Sequence, residues 1–146
     1  MPLTPAARSG DTDRLGADGP ARILLEVPAT PASLAVVRAA VAAAVARMGV
    51  TVDDVDDLRL AVSEAGTLLI ERAAPASALH VRLHGDGTRV RVQLHVPVQD
   101  PDDAPEESFA WTVLTALATT ATHRIDMIDG RPTLSIEFDH TVQIPA

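Results

Sequence analysis

Two runs of strictly alternating apolar and polar residues, joined by a glycine-rich turn, limit this chain to a small set of folds. The turn is Gly85-Asp86-Gly87, which is typical of an antiparallel hairpin. The apolar members are Leu79, Val81 and Leu83 in the first run and Val90, Val92, Leu94 and Val96 in the second. A period of two places these side chains on one face, so one side of the hairpin packs on a core and the other stays polar.

Segments with three- and four-residue periodicity predict three helices around this hairpin. The first follows Thr30-Pro31, an N-cap with proline at the first helical position, and ends at Gly49. The second begins at Thr51, directly after the first, and the third begins at Ser108. Each helix carries one apolar stripe, so all three should pack on the same core.

A strand before the helices and a hairpin after them complete the predicted fold. The strand covers Arg22–Val27, and the hairpin turns at Asp129-Gly130. Helices grouped against a mostly antiparallel sheet predict an α/β (α+β) two-layer sandwich with the helices on one face. The predicted boundaries are a disordered tail at 1–20, a domain at 21–140 and a C-terminal tail at 141–146.

The composition excludes several classes of function. The chain has no cysteine and no lysine, and its net charge of −8 disfavours a protein that neutralises nucleic-acid phosphates. The absence of thiols also removes zinc–thiolate sites and cysteine nucleophiles. No apolar run is long enough to cross a bilayer, and no signal core is visible at the N-terminus, so we expect a cytoplasmic bacterial protein with a basic protein partner.

Two segments carry a resemblance to a known family. Asp57–Ala65 (DLRLAVSEA), followed by Gly66-Thr67-Leu68, resembles the N-box helix of the GHKL ATPase superfamily in the version found in RsbW-type anti-sigma factors. Ser108–Leu117 (SFAWTVLTAL) resembles the divergent UsfX branch of that family. The resemblance covers roughly residues 22–138 and implies the Bergerat-like fold of this superfamily.

The resemblance implies a switch protein. Members of the family bind a sigma factor, are displaced by a STAS-type anti-anti-sigma antagonist and commonly work as homodimers. Active members phosphorylate a serine of that antagonist with Mg-ATP. We therefore expect an anti-sigma factor for a sigma factor of the sigma-F/B group; the alternatives are an active serine kinase and a regulatory domain that has lost sigma binding.

The nucleotide site implied by the resemblance is degenerate at three places. Glu64 matches the general base of the active enzymes, but Leu68 stands where they have an Asn that ligates magnesium. Asp100 is the candidate for the Asp that reads adenine, in a stretch without the family's glycines. Ala104–Phe109 (APEESF) replaces the glycine-rich lid with proline and glutamates. We expect no cofactor. Glu64 is then vestigial as a general base, and we favour a salt bridge with a nearby Arg as its present role.

Three residues are candidates for partner binding. Arg38 aligns with the first-helix Arg that contacts both the sigma factor and its competitor in the family. Phe109 and Trp111 make up most of the aromatic content and stand at one helix start. They are either interface anchors or, as we favour, a filling for the space left by the missing nucleotide and lid.

Three histidines, His80, His84 and His95, alternate on the polar face of the central hairpin. No carboxylate clusters with them in sequence, so we expect polar surface and no metal site. The same mixed face is also a candidate dimer interface.

Overall fold

A computed structural model of the protein describes residues 21–143. Its elements are, in chain order, β1 (Ala21–Pro28), α1 (Leu34–Ala46), α2 (Val52–Arg72), β2 (Ala78–Gly85), β3 (Arg89–Pro97), α3 (Phe109–Leu117), β4 (Thr120–Ile128) and β5 (Arg131–Thr141). Short 3-10 turns at Pro31–Ser33 and Pro105–Glu107 precede α1 and α3. The predicted order of strands and helices is confirmed.

The five strands of the described region form one antiparallel sheet in the order β1-β2-β3-β5-β4. The β4–β5 hairpin turns at Asp129 and Gly130, which both have positive φ values, 52° and 76°. That pair of left-handed residues makes a type I′ turn, whose twist matches the two strands. Because β5 lies between β3 and β4, the last hairpin returns the chain to the centre of the sheet.

The first helix starts later than its sequence suggested. Thr30 makes no side-chain cap, and the chain first forms the 3-10 turn Pro31–Ser33, in which the amide of Ser33 donates to the carbonyl of Thr30 at 3.0 Å. Proline supplies the φ value for such a turn and has no amide hydrogen to satisfy. The α-helix then begins at Leu34.

The second helix begins as predicted, because the hydroxyl of Thr51 accepts a hydrogen bond from the amide of Asp54 at 3.1 Å. α2 packs closely on α1 at Gly66, where an added Cβ would lie 2.6 Å from Cδ2 of Leu34. No helix within residues 21–143 is long and apolar enough to cross a membrane.

The core lies between the helices and one face of the sheet. In the described region Phe138 is its single fully buried aromatic residue, and the rest consists of aliphatic side chains. Leu58, Leu69 and Leu114 enter from the helices, and Leu94 enters from β3. The predicted two-layer sandwich, with the helices on one face of an antiparallel sheet, is confirmed.

The helix-free face of the sheet, which we call the open face, carries polar cross-strand pairs. Arg91 donates from Nε to Asp139 Oδ1 at 2.9 Å and from a terminal nitrogen to Oδ2 at 3.4 Å. That contact raises the pKa of Arg91. Gln93 donates to Glu137 at 2.5 Å on the same pair of strands. These pairs satisfy much of the polarity of the open face within one molecule.

The folded part of the chain extends beyond the predicted boundary at residue 140. β5 continues to Thr141, Val142 is buried, and the amide of Val142 donates to the carbonyl of Thr88 at 3.0 Å. The amide of Gln143 donates to Asp54 at 2.6 Å. Long-range contacts, which local sequence does not reveal, hold these residues. The predicted N-terminal tail at 1–20 lies outside the described residues.

Candidate functional site

The face of α2 that carries the N-box-like residues merges with the core. Glu64 is half-buried, and Leu68, one turn later, is 1% exposed. Residues four positions apart share a helix face, so the two side chains are neighbours. The position assigned to a magnesium-ligating Asn is thus part of the hydrophobic core and offers no side-chain oxygen. Glu64 forms no ion pair within residues 21–143, so the predicted salt bridge is absent there.

The segment that follows β3 is fastened to the end of α2. The amide of Gln99 donates to the carbonyl of Arg72 at 3.3 Å, and the amide of Ala74 donates to the carbonyl of Pro97 at 2.8 Å. The side chain of Arg72 is 13% exposed and forms an ion pair with Asp103, with 3.3 Å between Nε and Oδ2. It also donates to the carbonyl of Leu68 at 3.1 Å. Protein contacts therefore hold this segment in place.

Asp100, the candidate for reading adenine, is exposed and bound to its own turn. Its Oδ1 accepts a hydrogen bond from the amide of Asp102 at 2.9 Å, and its carbonyl accepts from the amide of Asp103 at 3.3 Å. An Asp that closes such a turn uses its carboxylate to stabilise the loop. In this geometry the side chain stabilises the path of the chain around Pro101.

The entry into α3 is capped and attached to β4. Ser108 accepts a hydrogen bond from the amide of Trp111 at 3.1 Å and donates to the carbonyl of Pro105 at 2.7 Å. Glu106 forms an ion pair with His123 of β4. Trp111 meets the same imidazole edge to face, with 5.0 Å between the ring centroids. Side-chain contacts to the sheet thus fix the segment that replaces the glycine-rich lid.

The two candidate aromatic residues have different environments. Trp111 is half-buried and packs on the core, as expected for a side chain that fills space between α3 and the sheet. Phe109 is 81% exposed. The favoured prediction that both residues fill the space left by the missing nucleotide and lid is therefore wrong for Phe109, whose side chain at the first position of α3 is exposed to solvent. Its exposure leaves it available as an interface anchor.

Arg38 connects the two long helices. The residue is half-buried, and its guanidinium donates to the hydroxyl of Ser63 on α2 at 3.1 Å. Ser63 directly precedes Glu64, so Arg38 lies at the edge of the N-box-like face. The alternative of an ordinary solvated Arg does not describe this position, since a protein contact orients the side chain.

The histidines of the open face are not grouped as metal ligands. His80 stacks on His95 with 4.6 Å between ring centroids and lies 3.0 Å from Glu26. Burial lowers the pKa of His95, and the neighbouring His80 and Arg82 lower it further. No group of three or more metal-ligating side chains was found within residues 21–143. A groove of about 650 Å³ runs across this face.

Sequence reasoning missed two residues that shape the site, Arg72 and His123. Arg72 holds the acidic segment on α2, and His123 receives both Glu106 and Trp111. A weak indication was available for His123, since it occupies an apolar-facing position of a strand pattern. No sequence feature pairs Arg72 with Asp103, because the two are brought together only by the return of the chain after β3.

These residues do not fit a bound Mg-nucleotide of the family type. A buried leucine replaces the oxygen ligand, the candidate adenine-reading Asp closes its own turn, and a proline-containing acidic turn replaces the glycine-rich lid. Glutamate near a phosphate would repel it, whereas backbone amides at a free helix start attract it. Of the elements that the resemblance implies for a nucleotide site, the helix α2 is present, and it carries the half-buried Glu64.

Comparison with known proteins identifies the family of this fold. The model of the histidine kinase-like ATPase domain matches residues 27–116, which run from the end of β1 to α3. The chain belongs to the histidine kinase-like ATPase domain family. The suggested resemblance to the GHKL superfamily is thereby confirmed.

Proteins named RsbW are similar in sequence to this chain. The chain is 37% identical over 94 residues to the anti-sigma-F factor RsbW of Mycobacterium tuberculosis, covering 64% of this chain and 56% of that protein. It is 41% identical over 51 residues to the serine-protein kinase RsbW of Bacillus velezensis, covering 35% of this chain and 32% of that protein. The matches thus span about a third to a little over half of the length of these relatives.

A solved structure shows the same fold. The RsbU and RsbW domains of Rv1364c from Mycobacterium tuberculosis align with 85% of this chain and 34% of that chain, with a TM-score of 0.59. The sequence identity of this match is 23%. The likeness therefore supports the fold of this chain.

Proposed function

We propose that this protein is an anti-sigma factor that sequesters a sigma factor of the sigma-F/B group until a STAS-type anti-anti-sigma antagonist displaces it. The support is its family membership together with the RsbW names of its relatives. The observation that carries the proposal is that the RsbW-type helix α2 is kept while its magnesium position, Leu68, lies in the core. A family scaffold without that ligand favours binding over phosphoryl transfer.

Nucleotide-independent binding is part of this proposal. In an active family member, Mg-ATP would organise the segment after β3 and the lid. Here Arg72–Asp103 and Glu106–His123 join the same segments to α2 and β4. The binding surface is therefore already formed before a partner arrives, which lowers the entropy cost of association.

The proposed partner surface includes α1, the adjoining edge of α2 and the start of α3. Arg38 is oriented by Ser63, and Leu60, one turn before Ser63, is 45% exposed. Phe109 adds an exposed ring at the start of α3. An oriented Arg beside exposed apolar side chains is the composition expected of an interface hot spot.

The charge of the chain suits a basic partner. The net charge is −8, and the first turn of α2 and the segment after β3 are both rich in aspartate. Acidic surfaces of this kind raise the rate of association with basic helices, and the effect weakens with salt. We expect the affinity for the sigma factor to fall as ionic strength rises.

Titration calorimetry with purified sigma factors of the sigma-F/B group tests the proposal. We expect saturable binding of one of them with the same affinity whether Mg-ATP is present or absent. Arg38→Ala should raise the Kd about tenfold or more, in keeping with a hot-spot residue. Arg131→Ala, at an exposed position on the far hairpin, is the matched control. Absence of binding to every such sigma factor would refute the proposal.

A serine kinase acting on the antagonist is the second candidate. Glu64, the counterpart of the general base, remains half-buried at the edge of α2 and is not used by an ion pair within the described residues. Incubation with antagonist and Mg-ATP, followed by mass spectrometry, separates the two functions. A phosphoserine on the antagonist that disappears with Glu64→Gln would establish the kinase.

We also propose that the protein is a homodimer, as the family resemblance implies. The mixed polar open face of the sheet is one candidate interface, and an edge of the sheet is another. Sedimentation equilibrium of the purified chain measures the state directly, and a monomer at high micromolar concentration would contradict the proposal.

A further inference from the structure

The strand β4 forms one edge of the sheet and leaves its outer side without a backbone partner in the described region. Its nine residues pair one to one with β5 from Thr120↔Asp139 to Ile128↔Arg131, so no bulge interrupts it. It also contains no proline. Edge strands usually carry such features because an open edge can pair with another strand.

The turn chemistry decides which backbone groups face outward. Ile128 and Arg131 flank the two-residue turn, so they form a hydrogen-bonded pair, and such pairs alternate along the hairpin. Even-numbered residues of β4 therefore direct their N–H and C=O groups toward β5. The odd-numbered residues His123, Ile125 and Met127 direct theirs toward the free edge.

β4 also exposes three large apolar side chains, although it is an edge strand. Ile125 is 37% exposed, Met127 is 67% exposed and Ile128 is 42% exposed. Exposed apolar side chains along an unpaired edge are characteristic of a surface that is covered in an assembly. The opposite edge, β1, has a single exposed large apolar residue, Leu24, and ends in Pro28.

β4 carries one positive and one negative side chain on either side of Ile125. Arg124 and Asp126 flank Ile125 and form an ion pair with each other, with 2.7 Å between Nε and Oδ2. If a second copy of β4 lies antiparallel with Ile125 opposite Ile125, each Arg124 faces the Asp126 of the other copy. Opposite charges directly across strands stabilise the pairing, and like charges oppose it.

This register also satisfies the backbone. It pairs odd residues with odd residues, so the outward N–H and C=O groups of both copies meet. His123 then lies opposite Met127, and Thr122 lies opposite Ile128. One register thus satisfies the hydrogen bonds and the charges at once.

We propose that two copies of this protein dimerise by antiparallel addition of β4 to β4 about a two-fold axis at Ile125, which joins the two sheets into one continuous sheet. The inference rests on the proposed homodimer and is independent of sigma-factor binding. It assigns the dimer contact to the sheet edge and leaves the open face, with its internal polar pairs, outside the contact.

Thiol cross-linking of the purified full chain tests the register, because the protein has no cysteine of its own. In the proposed dimer the two Cα atoms of residue 125 lie about 5.5 Å apart. Those of residue 127 are offset by four residues, about 13 Å. A short thiol-to-thiol cross-linker should join Ile125→Cys and leave Met127→Cys as monomer on a denaturing gel.

Met127→Cys is a demanding control, because Met127 is more exposed than Ile125 and would react first in random collisions. Efficient cross-linking of Met127→Cys, or none of Ile125→Cys, would overturn the proposed register.

Charge reversal tests the same contact in solution. Asp126→Arg places like charges opposite each other twice, and we expect the dimer Kd to rise about tenfold or more, measured by sedimentation equilibrium. The double variant Arg124→Asp/Asp126→Arg restores opposite charges across the axis and should restore the dimer. Circular dichroism of each variant verifies that it is folded.

The controls separate this proposal from the others. Arg82→Asp changes the open face and should leave the dimer unchanged. A dimer that is lost with Arg82→Asp and insensitive to Asp126→Arg would move the interface to the open face and overturn the edge proposal. A wild-type monomer would refute both the homodimer and its interface, whatever the result of the sigma-factor titration.

Discussion

Nε2 of His140 lies 3.0 Å from Oδ1 of Asp54, and both side chains are buried. The other ring nitrogen, Nδ1, lies 3.2 Å from the carbonyl oxygen of Leu117. The two contacts connect both ring nitrogens of His140 to oxygen atoms of other elements. These contacts connect the start of α2, the end of α3 and the end of β5, and they therefore attach the two helices to the sheet.

Removal of this buried carboxylate should destabilise the fold. We expect Asp54→Ala to lower the free energy of unfolding by about 3 kcal/mol, because the ring of His140 loses its partner in a buried place. Asp56→Ala, at an exposed position of the same helix, should change it by less than about 0.5 kcal/mol. Urea denaturation of the three proteins measures the difference, and equal stability of both variants would contradict this role of the pair.

The same carboxylate should make stability depend on pH in the acid range. Burial alone would raise the pKa of Asp54, but hydrogen bonds from His140, Gln143 and Thr51 outweigh it and lower the pKa below its ordinary 3.8. The unfolded chain thus binds a proton at a higher pH than the folded one, so the contribution is present above about pH 4 and is lost as pH falls through the lower folded pKa.

Urea denaturation between pH 2.5 and pH 6 tests this sign. We expect the stability of Asp54→Asn to fall less steeply toward acid than that of the wild type. If the stability of Asp54→Asn falls toward acid as steeply as that of the wild type, other carboxylates cause the acid sensitivity.

Substitutions of the two aromatic residues at the start of α3 should affect stability and partner binding differently. Trp111→Ala removes a ring packed on His123 and the core, and we expect a loss of about 2 kcal/mol, less than for a fully buried ring. Phe109→Ala should leave the free energy of unfolding within about 0.5 kcal/mol, because that ring is 81% exposed. If Phe109 anchors a partner, its variant loses affinity while its thermal midpoint stays that of the wild type.

Reintroducing the family's magnesium ligand should not restore a nucleotide site. Leu68→Asn places an amide in the core, and we expect a loss of about 3 kcal/mol with no gain in thermal midpoint on addition of Mg-ATP. Leu68→Met, which keeps an apolar side chain, is the control and should cost less than about 1.5 kcal/mol. An upward shift of the midpoint of Leu68→Asn by Mg-ATP would show that the cleft still admits nucleotide.

The acidic segment after β3 should loosen when its ion pair is removed. Asp103→Ala removes the ion pair of Arg72. The amide of Gln99, which donates to the carbonyl of Arg72, should then exchange its hydrogen faster. Asp102→Ala, on the same turn but without an ion pair to α2 in the described part of the chain, serves as the comparison. Hydrogen exchange followed by mass spectrometry resolves the segment, and identical protection in both variants would assign its order to the backbone bonds alone.

Much of the fold and part of the site were predictable from the sequence, and each success has a local cause. The alternation on β2 and β3, the turn at Asp129-Gly130 and the cap at Thr51 depend on residues close to each other along the chain. The N-box-like pattern around Glu64 is equally local, which is why family membership was accessible. The missing Asn at position 68 was visible for the same reason.

What the sequence determined by itself is therefore the periodicity, the turns and the loss of particular ligands. The tertiary structure decided which distant residues meet: Asp54 with His140, Arg72 with Asp103, and His123 with both Glu106 and Trp111. It also decided that Phe109 is exposed and that β4 is an edge strand of the sheet within residues 21–143. The physical reason is that periodicity reports which side of an element is apolar, whereas ion pairs and sheet edges depend on how the chain returns across the core.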